Sequence, residues 1–429
     1  MQVFILDQFN KQPRFRILSQ GDNKLINTLL NNIITSSSGV FLWVCLVVTE
    51  VLEEARDGAS MAELIEIVEK VPNDINDYFY RIMDSIEPKY KAESSIMLQI
   101  TLHDGKRFVN FKFLQLLDLS FIEEHHCDFA LRPGYSLAKY DISAQGICAR
   151  IGSASRRVNS RCGGLLKTQY TEGRTEKSVG LGQPINNAGL AASTESGPHN
   201  GEYLDSRDST DLVRTYNYHV NFLHRSFYDY LREPENMEQL TQRAKGRYNV
   251  RLFLCNAKLV QILSLNYKSR PDHARLPFGL VSYVLSVMSV DDLKYTKECL
   301  DIATRLRPVV EFLAQKRIHK TSGVLWYLSI ALQDYDAYRE NFLAVAIEFD
   351  LVAYLKEYLT LDAVLAKTGR PLLGNVLKHA IFHHYSVHLP DPNAEVLRLV
   401  LDRGAGPNEM WHSSSIWGLF LTCLAGARS

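Results

Sequence analysis

The chain has 429 residues, 46% hydrophobic and 22% charged, a length and mix that predict a folded protein of two to four domains. Lys+Arg and Asp+Glu balance at 48 each, which excludes a global electrostatic footprint for nucleic acid or an anionic membrane. Its 7 cysteines are scattered without a CxxC pair, which excludes a disulfide framework and a cysteine-based zinc site and reads as intracellular usage.

At the N-terminus, Met1-Gln2-Val3-Phe4-Ile5-Leu6-Asp7 lacks a basic start and meets Asp7 where a secretory signal would continue its apolar core. Residues 22–57 read as one or two helices, with Leu25, Ile26, Leu29, Leu30 and Ile33 at helical spacing. A break at Ser36-Ser37-Ser38-Gly39 precedes Val40 to Val48, apolar all round as a buried helix is. That run falls far short of the roughly 20 residues that span a bilayer, so no membrane span is expected and the protein is expected in the cytoplasm. Ser60 with Glu63 forms a capping box before Leu64, Ile65 and Val68. Pro72-Asn73-Asp74 stops that helix and caps another carrying Ile75, Tyr78, Ile82 and Ile86, and two further helices fill 90–120.

The texture changes near Arg132. Between Gln169 and Asp211 Gly, Ser, Thr and Asn dominate, too little apolar surface to offset the entropy of ordering, so about 169–211 is expected to be a disordered insertion. Order is expected to resume at Tyr216. Val220, Leu223, Phe227, Tyr230 and Leu231 have helical spacing, and beyond Pro234 helices are expected over 238–265, 276–287, 291–304, 307–315, 321–333, 338–348, 350–358 and 393–402. Few segments alternate as strands do, so the fold class is mainly α.

The chain carries no constellation for chemistry of its own. A P-loop needs GxxxxGK[ST], whose amides and lysine cradle phosphates. The nearest string, Gly163-Gly164-Leu165-Leu166-Lys167-Thr168, has Leu where the second glycine belongs, and Gly180-Leu181-Gly182 lacks its third glycine. His379 and His383 keep zincin spacing, but Ala380 stands where the glutamate base is needed. With His384 and His388 they read as a polar helix end, as His125-His126-Cys127 does, so no metal ligand is assigned. No GxSxG elbow occurs. Arg156, Arg157 and Arg161 cluster without interleaved aromatics, which is no nucleic-acid surface. The chain is therefore not expected to be an enzyme.

Three passages resemble one family. Gly39 to Val48, with Leu64, Pro72-Asn73-Asp74-Ile75 and Tyr80-Arg81-Ile82, resembles the helical lid that follows the nucleotide-binding core of fungal NACHT proteins. Arg156 to Leu166 resembles a strand-proximal motif of the following domain, and Val220-Asn221-Phe222-Leu223-His224-Arg225-Ser226-Phe227-Tyr228-Asp229-Tyr230-Leu231 resembles that domain's signature helix. Order and spacing agree over 25–232. The resemblance implies an NTP-binding switch built from core, lid, winged-helix-like domain and sensor. It also implies that His224, in its FLH context, contacts the phosphate of a bound nucleotide; the reading without that role is that His224 caps or packs the helix. Walker A, Walker B and most of the core are missing here, and Gly39 lacks the nearby proline of some relatives, so ATP or ADP is expected only with an upstream P-loop core.

A second resemblance lies at the C-terminus, where Val396 to Asn408 is similar to the second helix and turn of an ankyrin repeat. Gly404 would supply the left-handed helix stop and Pro407-Asn408 the turn. Gly406 replaces the usual Asp and Ser415-Ile416-Trp417 the usual Thr-Pro-Leu; Ala344-Val345-Ala346 with Leu351-Val352 and Tyr354-Leu355 reads as a degenerate preceding repeat. The expected organisation is a remnant of core and helical lid at 1–71 and a winged-helix-like domain with its insertion at 72–232. A helical domain at 233–340 and a helical, degenerate ankyrin-like region at 341–429 follow. The expected role is non-catalytic regulation and protein interaction, through the C-terminal helices and with oligomers possible; the alternative is a stand-alone helical adaptor.

Overall fold

The computed structural model describes residues 1–19, 23–104, 114–137, 143–170, 218–246, 248–265, 275–290, 292–315, 342–360, 372, 373, 376, 393–411 and 414–426. Among them the chain is mainly α, with only two short two-stranded sheets. It divides into two compact units: Met1–Leu114, Ser153–Thr171 and Tyr218–Arg247 form the first, and Gln115–Gly152, Glu172–Asn217 and Tyr248–Ser429 the second.

The first unit opens with α1 (Gln2–Lys11), α2 (Pro13–Ser19), α3 (Asn23–Ser36), α4 (Phe41–Asp57), α5 (Met61–Lys70), α6 (Ile75–Ser85) and α7 (Lys91–Asp104). Local signals set their ends. Gly58 takes φ +115 and its N–H closes on Glu54 O, stopping α4 where a side chain would be strained. Ser60 and Glu63 form the reciprocal capping box of α5, and Asp74 accepts from the amides of Asn76 and Asp77 to start α6. The apolar run of α4 is buried as its composition requires: Trp43, Val44, Val47 and Val51 are fully enclosed, and Trp43 Nε1 donates to Pro72 O at 2.6 Å. Its first residues, Val40 and Phe41, are exposed.

α8 is a single turn (Leu116–Leu119), and α9 (Ala144–Arg161) lies in a stretch where the sequence had suggested no element. Ile147, Ile151, Ala154 and Val158 are buried along one side of α9, at the three-and-four spacing of a helix, diluted by Ser and Arg. Then β1 (Leu166–Tyr170) pairs antiparallel with β2 (Tyr218–Phe222), from Leu166 opposite Phe222 to Tyr170 opposite Tyr218. Two expectations are corrected here. Gln169 and Tyr170, assigned to the insertion, are the last residues of β1, and Val220, read as the start of a helical stretch, lies in β2. The spacing of Val220 and Leu223 imitates a helix, but cross-strand pairing and the bond from Val220 N to Leu114 O fix an extended chain. The rest of the expected insertion lies outside the described residues.

α10 (Arg225–Arg232) follows at once, and Pro234 at its first position starts α11 (Pro234–Arg243). Phe227 of α10 is fully buried, 5.0 Å from Phe79 and 5.8 Å from Phe222.

In the second unit α12 (Val250–Ser264) is buried along most of its length, and α13 (Arg275–Met288) and α14 (Lys297–Gln315) follow. The single helix expected over 238–265 is thus two, broken where Lys245 and Gly246 take φ +61 and +124. The helices expected at 291–304 and 307–315 are one. Pro308 sits inside it, and buried Ile302, Leu306, Val309 and Leu313 hold both halves in line. Short helices α15 (Phe342–Glu348) and α16 (Val352–Tyr358) pack together, then come α17 (Ala394–Asp402), the hairpin β3 (Met410–Trp411) with β4 (Ser414–Ser415), and α18 (Ile416–Gly426). Gly404 takes φ +96 just after α17. The helix expected at 321–333 and the first four residues of that at 338–348 lie outside the described residues, and the rest of the latter is α15.

Candidate functional site

His224 heads α10. Its Nδ1 accepts the backbone N–H of Ser226 at 3.1 Å and lies 3.0 Å from Ser226 Oγ. The capping reading of this residue is therefore present in the structure, and it fixes the tautomer: an Nδ1 that accepts from an amide leaves the proton of the neutral ring on Nε2. The hairpin positions it. Leu223 N donates to Leu165 O at 2.9 Å, so β2 ends one residue before the cap and His224 stands exposed at the helix N-terminus.

Beside α10, in the same unit, a cleft of about 540 Å³ lies between α6, α10 and the start of α11. Asp77, Asp229 and Glu233 supply three carboxylates, Tyr80 and Tyr230 two rings, and Asn76 and Asn236 two amides, with Ser226 at the edge. None of the described lining residues is basic. Asp229 has Arg225 at 3.5 Å on the exposed side of the helix. Tyr80 is 46% exposed, and the guanidinium of Arg243 lies 5.7 Å from its ring. Burial raises the Tyr230 hydroxyl's pKa, so it remains a neutral donor. The sequence reading did not bring these residues together, because they come from two segments about 150 positions apart and no local pattern joins them.

Of the basic cluster in α9, Arg156 is exposed, while Arg157 and Arg161 are half-buried and committed within the fold. Arg157 Nη1 reaches Glu93 Oε1 at 3.4 Å, and Arg161 bonds the other oxygen while its guanidinium lies 4.5 Å from the ring of Tyr90. Gly163 and Gly164, the near-miss to a P-loop, form the left-handed turn into β1 at φ +56 and +72. A Cβ on Gly163 would stand 2.8 Å from Ile82 Cγ2.

In the second unit lies a charge cluster absent from the sequence reading. Lys258 Nζ bonds Asp118 Oδ2 and Gln115 Oε1, both at 2.8 Å, with the ionic side chains 2% and 0% exposed. Gln261 Nε2 donates to Asp118 Oδ1 at 2.7 Å, and the amide of Gln115 to Asp118 Oδ2 at 3.0 Å. A lysine inside the apolar run of α12 was the signal for it. The pair is closed to solvent and fits a structural clamp.

His125 and His126 are exposed, and Cys127 beside them is held in the thiol form by burial, its pKa raised. Among the described residues no group of three or more His, Cys, Asp or Glu is placed to hold a metal ion. His379, His383, His384 and His388 lie outside those residues, as do Gly180 and Gly182. Among the described residues no helix is long and apolar enough to cross a membrane.

Residues 85–273 are similar to a family described as Domain of unknown function (DUF7791). The matched stretch runs from the end of α6 past α12, taking in the β1–β2 hairpin, His224, Asp118 and Lys258. No curated protein and no solved structure matches the chain.

Proposed function

We propose that this chain is a non-catalytic regulatory and protein-interaction portion of a NACHT-type intracellular switch, in which lid and winged-helix-like segments hold a nucleotide core closed and the C-terminal helices meet a protein partner. The observation that carries this reading is the presentation of His224. A helix N-terminus favours anions, and the cap leaves Nε2–H as the ring donor that a diphosphate would accept. The order α7, α8, α9, β1, β2, with the hairpin running into α10, also fits a winged-helix-like domain. ATP or ADP would come with a core encoded upstream, while the carboxylates of the neighbouring cleft leave the phosphate to the His224 side alone. Six free cysteines among the described residues fit a cytoplasmic setting.

The alternative, a stand-alone helical adaptor, draws on α18. Its sequence holds no charge, and Trp417 and Leu421 are 43% and 49% exposed, the kind of apolar surface that marks an interaction site.

Mapping the 5′ end of the transcript that encodes Met1 separates the two. The switch reading expects upstream sequence encoding GxxxxGK[ST] and a longer protein that copurifies with ADP or ATP, less of it in His224→Ala. A transcript starting just before Met1, with partner capture indifferent to nucleotide, overturns it in favour of the adaptor.

A further inference from the structure

We infer that the cleft between α6 and α10 is a docking site for an arginine-bearing segment of a protein partner. This surface is separate from the C-terminal helices and does not depend on the nucleotide-linked reading. Three features of the cleft point to the same occupant. It is an open surface cleft of about 540 Å³, room enough for a long side chain to lie in. Its lining is acidic: Asp77, Asp229 and Glu233 line it with no described basic residue among them, and of the three Asp229 has a cation beside it, Arg225 at 3.5 Å. Its aromatic component is accessible, Tyr80 being 46% exposed beside the carboxylates.

Carboxylates next to a part-exposed ring suit a guanidinium, which takes paired hydrogen bonds in its plane and stacks on an aromatic face. The chain itself already shows half of this chemistry, since Arg243 lies over the Tyr80 ring at 5.7 Å while donating to Met83 O at 2.9 Å. Asn76 offers an amide that can pair with the backbone of an extended peptide, whereas the Asn236 Nδ2 already donates to Tyr230 O at 2.9 Å. A lysine ammonium would satisfy the charge but not the planar pairing. A phosphorylated or acidic segment would meet three like charges.

The test is fluorescence polarisation on the full chain with a fluorescein-labelled Gly-Arg-Gly-Arg-Gly peptide and its twin carrying citrulline, which keeps the shape and loses the charge. The arginine peptide is expected to bind at least ten-fold more tightly than the citrulline peptide. Binding should weaken as NaCl rises from about 50 to 500 mM. Asp77→Asn with Glu233→Gln should raise Kd at least ten-fold with the circular dichroism spectrum unchanged, and Tyr80→Leu, which leaves every charge in place, should raise it several-fold. Glu357→Gln, an exposed acid in the second unit, should bind as the parent does. Equal binding of the two peptides, no binding of either, an unaffected double variant, or an equal loss in Glu357→Gln would each overturn the assignment.

Discussion

Lys258 and Asp118 illustrate how a single residue commits a core. Two opposite charges, both almost wholly out of water, are held by each other and by hydrogen bonds to Gln115 and Gln261, while Gln261 Oε1 stays buried without a partner among the described residues. Removing one partner leaves the other charge stranded, so Lys258→Met should cost about 3–5 kcal/mol in chemical denaturation. Adding Asp118→Asn should recover part of it, a coupling of at least about 0.5 kcal/mol; strictly additive losses would mean the pair is not closed. Gly163 tests a different constraint. Its φ of +56 and the 2.8 Å approach to Ile82 predict that Gly163→Ala lowers the melting temperature of the first unit, whereas Gly164→Ala, with open space beside it, should carry only the backbone strain. Burial also sets thiol chemistry. Cys162 and Cys299 are both pushed up to about 12, and Cys255 is raised too, because enclosed thiolates lose their hydration. Iodoacetamide at pH 8 should leave all three unmodified in the folded protein, and labelling of any would contradict the core placed around it.

Among the elements, the caps were legible and the strands were not. Ser60 with Glu63 and Asp74 announce α5 and α6 because capping is a local reaction of a side chain with amides two and three residues on. β2 escaped notice because five residues with apolar positions three apart fit either period, and its partner lies far off in sequence. α9 escaped because its buried positions, Ile147, Ile151, Ala154 and Val158, are diluted by serines and by arginines, two of which serve Glu93 inside the unit. His224 was read from motif context, and the structure adds what that context lacked: which ring nitrogen is committed to the cap.

Two predictions belong at the scale of elements. Phe227→Ala should cost about 3–5 kcal/mol, and Phe222→Ala, only half-buried, clearly less. The capping box should also be acid-sensitive. The Ser60 amide, then its hydroxyl, hold the Glu63 carboxyl below its usual range. A depressed carboxylate stabilises fully above its unfolded value and loses that contribution as pH falls through the folded one. The stability gap between the parent and Glu63→Gln should therefore be widest near neutrality and close below about pH 4.

For the molecule as a whole, the mainly α class follows from composition and period, but the grouping of segments into two units does not. The first unit gathers three separate stretches through contacts such as Gln99 Nε2 to Leu240 O and Arg243 Nη1 to Met83 O, which join residues far apart in the chain. No local pattern encodes such pairings. The same property allows a test at this scale. Tyr170 and Tyr218 stand directly opposite one another with rings 5.1 Å apart, so a two-residue Asn-Gly turn can replace everything between them. Closing a loop of roughly 50 residues costs about 3 kcal/mol more than closing one of two. The shortened chain should therefore melt no lower than the parent; a collapse of the first unit would show that the hairpin is not self-sufficient.

That pairing has a practical side. Facing residues of an antiparallel pair hold their Cα atoms only about 5 Å apart, and the termini of many compact domains are also close. The Tyr170–Tyr218 junction is thus a splice port: a fluorescent reporter or an affinity handle inserted there would leave the strand register intact, and its signal would follow the rung beside the helix that His224 begins.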